Sequence, residues 1–166
     1  MTDKTLEDWH QHGRDTEREF LIIAPAYDLP LVVHPDKESD KSAIDFKSSC
    51  GKYDVDLKTH ETPFFMAKYD DMDPLYTVLV NVAQLARYRH QYRFDLTKLI
   101  LIWWVKWTEQ TRFNQTVAAH YGIYAQRLNR LLDSEGLYPI RKCQNVDKII
   151  DNYLIDTRSL TKLEKQ

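Results

Sequence analysis

Apolar positions in the first part of the chain recur at helical spacing, and after Pro25 they give way to short runs of strand character. The spacing predicts a helix from Leu6 to about Ala24, with Trp9, Phe20, Leu21 and Ala24 among its apolar positions and Pro25 disturbing its end. Leu31-Val32-Val33-His34 reads as a short strand. From Ser42 to Thr59 two apolar runs flank the turn-forming Ser48–Lys52 segment, where Gly51 lets the chain reverse, so a hairpin is expected. Pro63–Tyr69 reads as a further strand, and Tyr76–Asn81, rich in β-branched residues, as a buried one. A basic helix over Val82–Tyr92 follows, then a central strand over Leu99–Thr108 that carries Trp103, Trp104 and Trp107. Around Gly122 two helical stretches give residues 116–133 the shape of a helix-turn-helix. The pattern predicts a mixed α/β fold in one domain over residues 1–166.

Composition narrows the class. At 166 residues, with 43% hydrophobic and 29% charged side chains, the chain is an ordinary globular sequence long enough for one sizeable core. Its longest apolar run, Leu99–Val105, is bounded by Lys98 and Lys106 and falls far short of the roughly 20 residues of a membrane span. The amino terminus lacks the basic and apolar regions of a signal peptide, and Cys50 and Cys143 lack metal-ligand spacing. A reduced, cytoplasmic protein with no membrane partner is expected. No Gly-rich phosphate loop or G-x-S-x-G occurs, so neither a nucleotide cofactor nor serine chemistry is expected.

Charge is unevenly spread. Residues 1–84 hold 17 acids against 9 Lys and Arg, whereas residues 85–148 hold 5 acids against 11. A basic footprint of this kind suits a nucleic-acid partner. Within it, Arg87, Arg89 and Arg93 lie on or beside the basic helix. Gln126, Arg127, Asn129 and Arg130 line the second helix of the 116–133 element, as side chains able to read base edges or hold phosphates.

The hairpin carries the candidate chemistry. Residues i and i+2 of a strand share a face, so Asp56 and Lys58 point together, and folding the hairpin brings Asp45 toward Asp56. Two carboxylates and a lysine at one point suit metal-assisted phosphodiester hydrolysis. The acids hold Mg²⁺, and the lysine positions the attacking water or offsets developing charge. Asp54 shares the parity of Asp56 and is expected to be a solvated strand end. Asp36, in the polar run Pro35–Lys41, is the alternative first acid. His60, two residues beyond Lys58 on the same face, is placed on the rim of the cleft, within reach of a DNA phosphate.

Asp45 and the Asp56-Leu57-Lys58 triplet resemble the PD-(D/E)xK nuclease superfamily, the fold of most type II restriction endonucleases. The resemblance covers roughly Glu17 to Trp107. It departs from the nominal pattern in one respect, since Asp45 has no preceding proline and the literal Pro-Asp is Pro35-Asp36. What it implies is a restriction-endonuclease-like mixed central sheet flanked by helices, with Asp45 and Asp56 as metal ligands and Lys58 beside the attacking water. Many members place a helix glutamate near the metal, and here Glu17 is the candidate, with Glu19 as its alternative. The implied activity is Mg²⁺-dependent cleavage of double-stranded DNA by a homodimer. The rivals are a junction resolvase with the same metal site and a non-catalytic regulator using the helix-turn-helix.

Overall fold

The computed structural model describes residues 5–40, 42–93, 95–106, 118–132, 138–145 and 148–166. Thr5 starts the first helix, α1 (Leu6–Ile23). Its hydroxyl accepts from the Asp8 N–H at 3.2 Å, and the Asp8 carboxylate accepts from the Thr5 N–H at 2.9 Å, which satisfies two backbone donors that a helix start leaves open. Strands β1 (Leu31–Val33), β2 (Phe46–Ser48) and β3 (Asp54–His60) follow, then β4 (Thr77–Asn81), α2 (Val82–Gln91) and β5 (Leu99–Lys106). The remaining elements are β6 (Ala118–Tyr124), α3 (Ala125–Leu132), β7 (Ile140–Asn145), β8 (Lys148–Asp156) and β9 (Thr161–Lys162). The protein is mixed α/β.

The chain divides into two compact units, residues up to Leu57 with Glu164–Gln166, and Lys58–Leu163. In the first unit β1, β2 and β3 pair antiparallel, with Val33 opposite Phe46 and Phe46 opposite Val55. Gly51 makes the β2–β3 reversal at φ +76°, a left-handed conformation open to glycine without strain. Phe20 of α1 packs on Phe46 with ring centroids 5.8 Å apart, and both side chains are buried. This contact orients the helix over the hairpin.

In the second unit β4, β8 and β7 form a three-stranded antiparallel sheet, while β5 pairs with β6 and β6 with β9. The Asn81 side chain caps α2 by accepting from the Gln84 N–H at 3.0 Å. Leu99, Ile102, Trp103 and Val105 of β5 are buried, as are Leu128 of α3 and Leu154 and Ile155 of β8.

Two expectations are corrected. Residues 118–124 of the expected helix-turn-helix are a strand, paired with β5 residue by residue from Lys106↔Ala118 to Ile100↔Tyr124. The neighbouring β5 supplies a full row of backbone partners, which outweighs the weak helical spacing of this stretch. Only 125–132 is helical, and positions 116, 117 and 133 lie outside the described residues, as do Trp107 and Thr108 of the expected central strand. The expected strand at Pro63–Tyr69 is instead a 3₁₀ helix over Phe65–Asp70, held by local bonds such as Ala67 N–H to Phe64 O at 3.1 Å and closed by Asp71 at φ +57°. Among the described residues no helix is long and apolar enough to cross a membrane.

Candidate functional site

Register decides the site. Because Phe46 faces Val55 and Lys47 faces Asp54, the next pair outward is Asp45 with Asp56. The β1–β2 ladder ends there as well, with the His34 N–H donating to Asp45 O at 3.0 Å. Asp45 sits between the buried side chains of Ile44 and Phe46, and both carboxyl groups are buried, Asp45 at 7% and Asp56 at 4% exposure. They are hydrogen-bonded to each other. Asp45 Oδ2 also accepts from the Leu57 N–H at 2.9 Å, which fixes the carboxyl plane.

Two ionised carboxylates cannot rest together in such surroundings. Burial, then the charge and hydrogen bond of Asp56, then Glu17, push the Asp45 carboxyl up to about 8, against the pull of Lys37. The same burial and like charge favour a protonated carboxyl at Asp45. Lys37 supplies the positive charge, with its Nζ 2.8 Å from Asp45 Oδ1 and 3.5 Å from Glu17 Oε1. Burial lowers the Lys37 pKa, but the hydrogen bond and charge of Asp45, with Glu17 and Asp56, outweigh it and leave the net shift upward. Glu17 reaches this point because it lies one helical turn before Phe20, the residue that anchors α1 on β2. Glu17 and Lys37 also line a groove of about 790 Å³ along α1, together with His10, Arg14 and Arg18.

The neighbouring acids lie apart from this cluster. Asp36, in the 3₁₀ turn Pro35–Glu38, is 76% exposed at its side chain, 3.7 Å from His34 Nδ1. His34 Nδ1 accepts from the Asp36 N–H at 3.2 Å, which leaves Nε2 as the donor to Asp54 Oδ1 at 3.2 Å. Lys47 Nζ reaches the same Asp54 oxygen at 3.1 Å, so Asp54 is half-buried and held rather than a solvated strand end. Glu19 is exposed. Lys37 and His34 were not singled out as site residues from the sequence. The available signal was the short strand at Leu31–Val33. Its pairing with residues 46–48 returns the intervening polar loop, and Lys37 with it, to the end of the ladder where Asp45 lies.

Lys58 and His60 belong to the second unit. The His60 Nε2 accepts from the Leu79 N–H at 3.3 Å, and burial lowers its pKa to about 4, so it is a neutral side chain rather than a cation at a rim. Lys58 and His60 line a cavity of about 350 Å³ walled by β4, α2 and β5. Of the expected DNA contacts, Arg89 Nε donates to Asn129 Oδ1 at 2.6 Å and Gln126 Oε1 accepts from the Leu96 N–H at 3.3 Å. These three side chains tie α3 to its surroundings. Arg87, Arg93, Arg127 and Arg130 are exposed.

Among the described residues no group of three or more His, Cys, Asp or Glu is drawn up in metal-ligand geometry. Glu17, Asp45 and Asp56 instead converge on the ammonium of Lys37. No family model, curated protein or solved structure matches the chain.

Proposed function

We propose that this protein is a Mg²⁺-dependent endodeoxyribonuclease with a restriction-endonuclease-like fold, most similar to a small type II restriction enzyme and acting on double-stranded DNA as a homodimer. The observation that carries this reading is the contact between the buried carboxyl groups of Asp45 and Asp56, with Glu17 facing the same cation. The donor set suits the ion, since Mg²⁺ takes oxygen ligands and prefers carboxylates. The charges suit it too. Three ionised carboxylates against the one ammonium of Lys37 leave two negative charges, which a divalent cation would neutralise.

Glu17, Asp45 and Asp56 would hold the ion. Bound there, it supplies Lewis acidity toward a phosphodiester oxygen and a lowered pKa for attacking water. The rest falls to the chain. The Leu57 N–H keeps Asp45 in one orientation, and the surrounding Ile44, Phe46 and Val55 exclude bulk water and so strengthen the local electrostatics. Arg14 and Arg18 give the groove over Glu17 and Lys37 the cations that a phosphate backbone pairs with. Lys58, which the resemblance sets beside the attacking water, belongs to the second unit, and the ammonium that touches Asp45 is that of Lys37.

The test is cleavage of a supercoiled plasmid. Mg²⁺ should support cutting, whereas chelator or replacement by Ca²⁺ should stop it. Asp45→Asn and Asp56→Asn, close in shape to the parent side chains, should each lower the rate by about 10² or more. Cutting at the parental rate by Asp56→Asn would remove the site from consideration.

A further inference from the structure

We infer that the cavity of the second unit is a nucleotide site, taking one nucleobase among its polar side chains and the attached phosphate at Lys58. The cavity, about 350 Å³, is at the lower end of small-ligand sites, roughly 300–1,000 Å³, and suits a single planar ring system with its sugar. Its floor is apolar, from the buried side chains of Leu85, Leu101 and Trp103. Lys58 is the charged residue among those lining it, and no acid lines it, so an anionic group is accepted and a cationic one is not favoured.

Hydrogen-bonding capacity gives the chemical class. The His60 Nε2 accepts from Leu79, so the ring proton is on Nδ1, and that donor has no partner among the described residues. The Asn81 oxygen is engaged in capping α2, which leaves its amide nitrogen over. Neither the Gln84 amide nor the Thr59 hydroxyl has a partner among the described residues, although both line the cavity. Two donors, an amide that both donates and accepts, and a hydroxyl therefore meet above an apolar floor. Half-buried polar groups of this kind gain by pairing with a ligand that offers both acceptors and donors along one planar edge. A nucleobase has such an edge, and its phosphate matches Lys58. The source is either a free nucleotide or a residue turned out of a nucleic-acid strand, and the two share this chemistry.

The full chain titrated with each of the four deoxynucleoside monophosphates by calorimetry should bind at least one of them. Gln84→Ala should weaken that binding at least tenfold, and Gln84→Glu should change which base is preferred. In a second arm, duplexes carrying 2-aminopurine are mixed with the protein in Ca²⁺. A rise in fluorescence that Gln84→Ala removes identifies a base turned out of the strand. Monophosphate binding without such a rise identifies a free nucleotide as the ligand. No binding by any monophosphate together with no fluorescence change overturns the inference, as does binding that Gln84→Ala and Gln84→Glu both leave unchanged. Neither arm reads cleavage. A protein that binds nucleotides here without cutting DNA overturns only the nuclease reading, and one that cuts DNA without binding a base overturns only this one.

Discussion

At the scale of single residues, charge balance around Asp45 governs behaviour. Lys37 is the counter-charge in contact with Asp45, and its side chain is only 18% exposed. Removing one partner of a buried ion pair costs more than the pair itself contributes, because the other charge is left in poor solvent. Lys37→Met should therefore lose about 1–3 kcal/mol in urea unfolding without metal. If a divalent cation takes over the same role, Mg²⁺ should restore part of the loss. Equal stability of variant and parent would mean the lysine carries no such load. His60 allows a pH test. Its folded pKa of about 4 lies below the ordinary 6.5, so the unfolded state binds more protons between those values. Its contribution is thus complete above 6.5 and is lost as pH falls toward 4. Asp45, raised to about 8, acts in the opposite sense from about 4 upward, so the comparison is between variants rather than of absolute slopes. His60→Gln keeps an acceptor for Leu79 but does not titrate. Unfolding free energies measured from pH 4 to 6.5 should rise less steeply for it than for the parent.

At the scale of elements, the hairpin and α3 make opposite points. The β2–β3 register puts Asp45 opposite Asp56, and that register depends on a reversal at Gly51 with φ +76°. A Cβ there would meet nothing within 4 Å, so the penalty of Gly51→Ala is that of the backbone alone, about 1 kcal/mol. Gly51→Asn should cost less, since asparagine tolerates the left-handed region. Thermal midpoints of the two variants check the order. Helix α3 was expected to read DNA, yet its Gln126 and Asn129 side chains pair within the unit and Leu128 is fully buried. Leu128→Ala should cost about 2–5 kcal/mol, whereas Arg127→Ala on the exposed face should stay within about 0.5 kcal/mol. A DNA-binding salt series on Arg127→Ala then separates a phosphate contact, which lowers the salt slope by about one, from a plain surface residue.

At the scale of the molecule, a ligand bound only by the folded state raises its stability by mass action. Mg²⁺ at about 100 times its dissociation constant should add about 2.7 kcal/mol to unfolding, and Asp45→Asn should abolish the gain. A thermal midpoint unmoved by Mg²⁺ in the parent would count against a metal at this centre. The elements legible in the sequence were those whose pattern is local. Helix α1, β1, the hairpin, β4, α2 and β5 follow from apolar spacing, from Pro25 and Gly51, and from the β-branched run before Asn81. Parity and a tight turn sufficed to bring Asp45 to Asp56, because hairpin pairing is a short-range consequence of the chain itself. What only the tertiary structure decided involves partners distant in sequence. Ala118–Tyr124 became a strand because β5 offered it a ladder, and β8 and β9 pair with the distant β4 and β6, while β7 pairs locally with β8 but carries no strong alternation of its own. Lys37 entered the acidic cluster, and Gln84 met Thr59 and His60 at one cavity, for the same reason. Side-chain convergence depends on how elements pack, and a linear pattern records which face a residue takes but not what stands opposite it.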